Sequence, residues 1–199
     1  MTSSTLRGDC AQCAALCCVA LAFDRSALFG YDKPAGEPCA NLCAEGRCAI
    51  HAERVVQGFA GCEAYDCLGA GQAVTQGLFG GKSWQDDPAL LRPMMEAFAV
   101  MRQVHETRQL LDQAAGLALP RAAKATLRAQ ARRLEPTGGW AWADVASGRI
   151  ERVVGEARAA LRSLASCLTT DGGRRPHAQS GSGRPSGPTA LPSRRSRYR

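Results

Sequence analysis

Residues 10–23, CAQCAALCCVALAF, place four cysteines at the spacings Cys-x-x-Cys and Cys-x-x-x-Cys-Cys. A two-residue gap lets both thiolates of a Cys-x-x-Cys turn face one cation, about 2.3 Å away for zinc. The amides of such a turn can also donate to the sulfurs and stabilise their charge. Adjacent Cys17 and Cys18 are expected to project in different directions. One should then ligate alongside Cys10 and Cys13, while the other packs, bridges or serves a second ion. Outward from this stretch, Cys39-Ala-Asn-Leu-Cys43, Cys48-Ala-Ile-His51 and Cys62-x-x-x-x-Cys67 follow within thirty residues. Nine of the ten cysteines thus lie between Cys10 and Cys67, and the tenth is Cys167. Nine thiols suffice for two four-cysteine sites with one to spare, or for one mononuclear site plus redox-active extras. Four thiolates around a divalent ion leave a net charge of about −2, which Arg47 and Arg54 are candidates to offset. His51, three residues after a cysteine, is either a further ligand or a surface side chain.

Clustered cysteines mean disulfides in an oxidising compartment and metal or redox chemistry in a reducing one. The apolar run of residues 10–23 follows Arg7, yet Asp9 borders it, four of its residues are cysteines, and no small-x-small cleavage site follows. No run reaches the roughly 20 apolar residues that span a bilayer. The expectation is a cytoplasmic protein with no membrane association. The net charge of +7 is unevenly spread: residues 171–199 carry seven Arg and one Asp, while residues 1–70 hold five basic and eight acidic side chains. A folded nucleic-acid-binding domain carries a basic face, and the amino-terminal region has none, so no specific nucleic-acid partner is expected.

The sequence predicts a mostly α protein in three zones. Residues 1–80 read as a small irregular cysteine-rich domain, punctuated by glycine and unable to bury much apolar surface alone, so that a metal ion must staple it. Helical periodicity there is confined to residues 49–57 (AIHAERVVQ), which Gly58 would stop. Residues 84–168 read as a small helical bundle. Asp87-Pro88 suits a helix start, and Leu91, Met94, Met95, Phe98, Met101, Val104 and Leu111 recur at three- and four-residue spacing up to Gly116. A second helix runs from Pro120 through Leu127 to Leu134, broken by Pro136 and Gly138-Gly139. A third carries Ile150, Val153, Val154, Ala157, Leu161, Leu164 and Leu168. Residues 171–199, rich in Gly, Ser, Pro and Arg, are expected to be disordered.

The order Cys10-x-x-Cys13-x-x-x-Cys17-Cys18, then Pro38-Cys39-x-x-Leu42, then Cys48-x-Ile50-His51, then Gly61-Cys62 with an aromatic before Cys67, resembles the bacterial cysteine-cluster family of zinc- or iron-chelating domains of the YkgJ type. That resemblance implies Cys10, Cys13, Cys17, Cys18, Cys39, Cys48 and Cys62 as cluster positions. Residues 62–72 (CEAYDCLGAGQ) and the Phe79-Gly80-Gly81-Lys82-Ser83-Trp84 stretch are similar to the cysteine-rich region that precedes pentapeptide repeats in an actinobacterial group. The wider family has Tyr where His51 stands and Arg-Pro before Cys62, and Cys43 is additional to its pattern. No Ala-(Asp/Asn)-Leu-x-x repeats follow Leu168. The expectation is a chain truncated or frame-shifted before such repeats, or a form that never had them.

The expected metal ligands are Cys10, Cys13, Cys17, Cys18, Cys39, Cys48, Cys62 and Cys67, holding zinc or iron, with an iron–sulfur cluster as a variant of the iron case. Thiol-dependent redox chemistry at Cys10/Cys13 or Cys17/Cys18 is the alternative, but no βαβ pattern surrounds Cys10. Hydrolase motifs are absent, and Gly80-Gly81-Lys82-Ser83 matches only the end of a phosphate-binding loop. No catalytic residue is assigned to His105 or His177. The helical zone is a candidate surface for an unidentified protein partner, with the metal as scaffold.

Overall fold

The computed structural model describes the backbone of residues 6–171 and the side chains of residues 6–164. Seven helices appear in this order: α1 (Leu16–Ala20), α2 (Ala60–Ala64), α3 (Ala70–Gln72), α4 (Leu91–Gly116), α5 (Arg121–Arg133), α6 (Trp142–Ala146) and α7 (Arg149–Asp171). Among the described residues extended structure is limited to two isolated bridges, Phe23 with Lys33 and Leu42 with Cys48. The mostly α class expected from the sequence holds. The expected disorder of the tail and the side chain of Cys167 lie outside the described residues.

Helix α4 starts as its sequence requires. Asp87 accepts a hydrogen bond from Ala89 N at 3.1 Å, Pro88 opens a 3₁₀ turn, and the α-helix follows directly. Met94, Ala97, Phe98, Met101, Val104 and Leu111 are buried along one face, the stripe that three- and four-residue spacing puts on one side of a helix. On the wetter side Arg92–Glu96, Arg102–Glu106 and Arg108–Asp112 pair across one turn, each worth a few tenths of a kcal/mol. Helices α5 and α7 pack on α4 and on each other, supplying Leu127, Ala131, Leu134, Ile150, Val154 and Ala157 to the core. Buried Thr107 on α4 has its hydroxyl satisfied by Arg158 Nε at 3.0 Å. Helix α6, which periodicity did not announce, is five residues long. Asp144 caps it by accepting from Ala141 N at 3.0 Å and pairs with Arg149 at 2.7 Å.

The cysteine-rich region is more helical than glycine punctuation suggests. Leu16 and Val19 of α1, with Ala70 of α3 and Val74, are fully buried. Leu16, Ala70 and Val74 belong to the same core cluster as Met94, Phe98 and Leu127. A second apolar centre is made of rings: Phe23 stacks on Phe29 with centroids 4.5 Å apart, and Tyr31 and Phe59 stand edge-on at 5.4 Å. Residues 49–57 differ from expectation. They form a 3₁₀ turn, His51–Glu53, and further turns ending at Gly58, whose φ is +84°. A segment this short cannot hold an α-helix unaided, and its apolar pair Val55 and Val56 is exposed rather than packed.

Leu111 is fully buried where α4, α5 and α7 meet. Leu111→Ala is expected to cost about 2–5 kcal/mol, measured as a lowered denaturation midpoint with unchanged slope. A shift below ~1 kcal/mol would mean that the three-helix core is not the stabilising centre.

Candidate thiol-lined metal site

Residues 7–14 carry the first two cysteines and have no regular structure beyond a 3₁₀ turn at Cys10–Gln12. The segment beginning at α3 and continuing as a π-helical turn (Ala73–Leu78) ties them down. Gln72 accepts from Asp9 N at 2.7 Å and donates to Arg7 O at 3.0 Å. Thr75 accepts from Ala14 N at 3.0 Å, and Gln76 donates to Gln12 O at 2.9 Å. Trp84 Nε1 donates to Ala14 O at 2.7 Å. These bonds hold Cys10 and Cys13 against α3.

At Gly71 the approach is so close that an added methyl would lie 2.5 Å from Cys13 Sγ and 3.9 Å from Cys67 Sγ, so glycine is required for this contact. The described non-glycine residues with left-handed φ are Ala15 (+54°) and Leu68 (+52°). Ala15 lies between Cys13 and Cys17, and Leu68 directly follows Cys67. Such strain concentrates where a chain must aim side chains at one place. Here the place is a cavity of about 20 Å³ lined by Cys10, Cys13, Cys17, Cys67, Asp9, Gly71, Gln72 and Phe98.

The remaining thiols do not line this cavity. Cys17 Sγ and Cys18 Sγ are 4.0 Å apart, closer than the divergence expected of adjacent residues. Cys39 N donates to Cys18 O at 2.9 Å, and Tyr31 Oη lies 3.0 Å from Cys39 Sγ while accepting from Ala40 N at 2.9 Å. Cys62 lies within electrostatic reach of Cys17, Cys39 and Cys48. Cys43 stands apart, its sulfur donating to Arg47 O at 2.9 Å. Arg47 and His51 are exposed, so Arg54 is the better placed of the two arginine candidates. Among the described residues, no three or more Cys, His, Asp or Glu side chains converge tightly enough to cage an ion as they stand. The nine described cysteines are all free thiols.

In this arrangement several of the thiols are pushed above their ordinary value. Burial, and then the neighbouring Cys17 and Cys67, push the Cys10 thiol up, against a pull from Arg54. Burial raises Cys13 to about 11. A hydrogen bond that the Cys17 thiol donates to Cys18, followed by burial, raises Cys17 further. Burial and then Cys17, Cys39 and Cys48 raise Cys62, again opposed by Arg54. Thiols crowded in this way keep their protons at neutral pH. A cation among them reverses the balance, because ligation displaces the protons. The four sulfurs that line the cavity are a donor set that fits a thiolate-bound metal. Two buried features that sequence reasoning missed also point there. Lys33 is 4% exposed, and Tyr65 Oη is buried with no hydrogen-bond partner. Neither had a signal beyond closeness to cysteines in the chain.

YybG, an uncharacterized protein of Bacillus subtilis (strain 168), is 39% identical over 130 residues, which is 65% of this chain and 47% of that protein. The chain thus spans about half the length of the curated relative it matches. No family model matches, and no solved structure matches. No helix among the described residues is long and apolar enough to cross a membrane.

His105 on α4 donates from Nδ1 to Leu68 O at 2.6 Å, bracing the strained residue after Cys67. Burial lowers its pKa from the ordinary 6.5. The unfolded chain therefore binds the proton more readily, and this contribution to stability is complete above about pH 6.5. It is lost as pH falls through the lower folded value. His105→Gln is expected to flatten the stability-against-pH curve in that acid window, measured by denaturant unfolding at several pH values. An unchanged slope would show that His105 does not titrate differently on folding.

Proposed function

We propose that residues 6–80 form a cysteine-thiolate metal-binding module, for zinc or iron, whose ion fastens the amino-terminal region to the helical bundle. The observation that carries this reading is Lys33. Its ammonium is buried and donates to three carbonyls, Val19 at 3.3 Å, Leu21 at 2.7 Å and Pro34 at 3.0 Å. Among the described residues no carboxylate forms a salt bridge with it. Its foremost ionisable neighbours are Cys39 and Cys18, followed by the exposed Glu37. A buried ammonium without an anion is costly. Thiolates held ionised by a metal ion supply the missing charge. Tyr31 supports the same state, since its hydroxyl can donate to a Cys39 thiolate.

Zinc fully ligated by cysteine has a closed coordination sphere, and the ion's role is then structural. Bound iron would add electron transfer to that role. The resemblance to cysteine-cluster domains agrees with either metal. The reading places the protein in the cytoplasm, where thiols stay reduced.

Protein purified without oxygen and without a nickel step is expected to carry stoichiometric zinc or iron by elemental analysis. Lys33→Met should weaken metal retention by about 10–100-fold, as loss of a supporting partner does. The same substitution should leave the metal-free, reduced protein as stable or more stable, because it removes an uncompensated buried charge. Reduced protein that keeps residues 6–80 compact with no bound metal, or Lys33→Met that weakens both forms equally, would sink the reading.

A further inference from the structure

Resting on that metal reading, the geometry points to two separate four-sulfur ion sites that abut at the Cys17–Cys18 peptide. Cys10, Cys13, Cys17 and Cys67 make one site, and Cys18, Cys39, Cys48 and Cys62 the other. The first is defined by its cavity. All four sulfur-bearing residues line it, and Cys18 does not. Three separate stretches of chain, around residues 10–13, 17 and 67, converge there, and the strained Ala15 and Leu68 hold that convergence.

The second group is assembled by different elements. Cys18 and Cys39 are joined through their backbones. Cys39 carries the Tyr31 hydroxyl, and the Leu42–Cys48 bridge turns Cys48 back alongside residues 39–43. Cys62 enters from α2, whose amino-terminal end is set by Phe59 in the ring cluster. Consecutive helix positions point about 100° apart. In the proposed division Cys17 serves the first group and Cys18 the second, and their sulfurs, 4.0 Å apart, are where the two sites meet.

Charge follows the same division. Two divalent ions, each held by four thiolates, carry about −4 together. Lys33 lies against the second group. Arg54 lies within electrostatic reach of Cys10 in one group and Cys62 in the other. It also pairs with Glu63 and leaves Nε buried without a partner.

The test is anaerobic titration of the full reduced chain with cobalt(II), read by its tetrahedral thiolate absorption and repeated with cadmium by NMR. Two equivalents and two cadmium resonances are expected. Cys13→Ser and Cys39→Ser should each remove one equivalent, and Cys43→Ser neither. Two milder variants keep all eight sulfurs. Gly71→Ala should move only the resonance that Cys13→Ser abolishes, and Tyr31→Phe only the other. One equivalent in the unaltered chain, or both milder variants moving the same resonance, overturns the two-site division and leaves the metal-binding reading standing. No tight equivalent at all overturns both.

Discussion

Side-chain amides bonding to backbone hold the amino-terminal end of this molecule in place. Residues 7–14 have few apolar groups to bury, and their position depends on Gln72, Thr75 and Gln76 reaching across from one helical segment and on Trp84 from the turns after it. That segment is itself anchored because Ala70 and Val74 are buried against the bundle. The order of dependence therefore runs outward. The three long helices form the core, the core fixes α3, and α3 fixes the loop that bears Cys10 and Cys13. Gly71 lets the last step occur, since only a residue without a side chain allows the helix so near a sulfur.

This dependence separates two kinds of stability within one chain. Burial of Phe98, Leu111, Leu127 and Ile150 holds the bundle with or without an ion. The thiol-bearing loops rely on hydrogen bonds of modest net worth, about 0.5–1.5 kcal/mol each, and on whatever occupies the space between the sulfurs. Without a cation, burial first and neighbouring sulfurs second keep these thiols protonated. In the proposed loaded state the ion displaces those protons and draws the loops together.

The long helices were legible because burial on one face requires apolar residues every three or four positions, and α4, α5 and α7 are long enough to display it. Helix α6 and the α3 segment were not. Trp142–Ala146 is too short to show a period, and residues 69–78 read as a glycine-rich exit, although Ala70 and Val74 stand four apart. The spacing of the cysteines announced a cluster but not the layout of its thiols. Sequence spacing suggested that Cys17 and Cys18 diverge, whereas their sulfurs lie side by side. Lys33 and Tyr31 were invisible as site residues. A lysine or tyrosine in a polar loop looks solvated, and only the folded backbone turns them toward Cys18 and Cys39. Arg47 illustrates the reverse: it is next to Cys48 in the chain and yet exposed.

The left-handed backbone at Ala15 and Leu68 has a consequence for the order in which the chain would loosen. Each such residue holds its peptide roughly 1–2 kcal/mol above a relaxed conformation. In the proposed loaded state the ion's ligands oppose that relaxation. Without the ion, the hydrogen bonds from Gln72, Thr75, Gln76 and Trp84 are what resists it, so in the proposed reading metal loss loosens residues 8–17 before it touches the helical core.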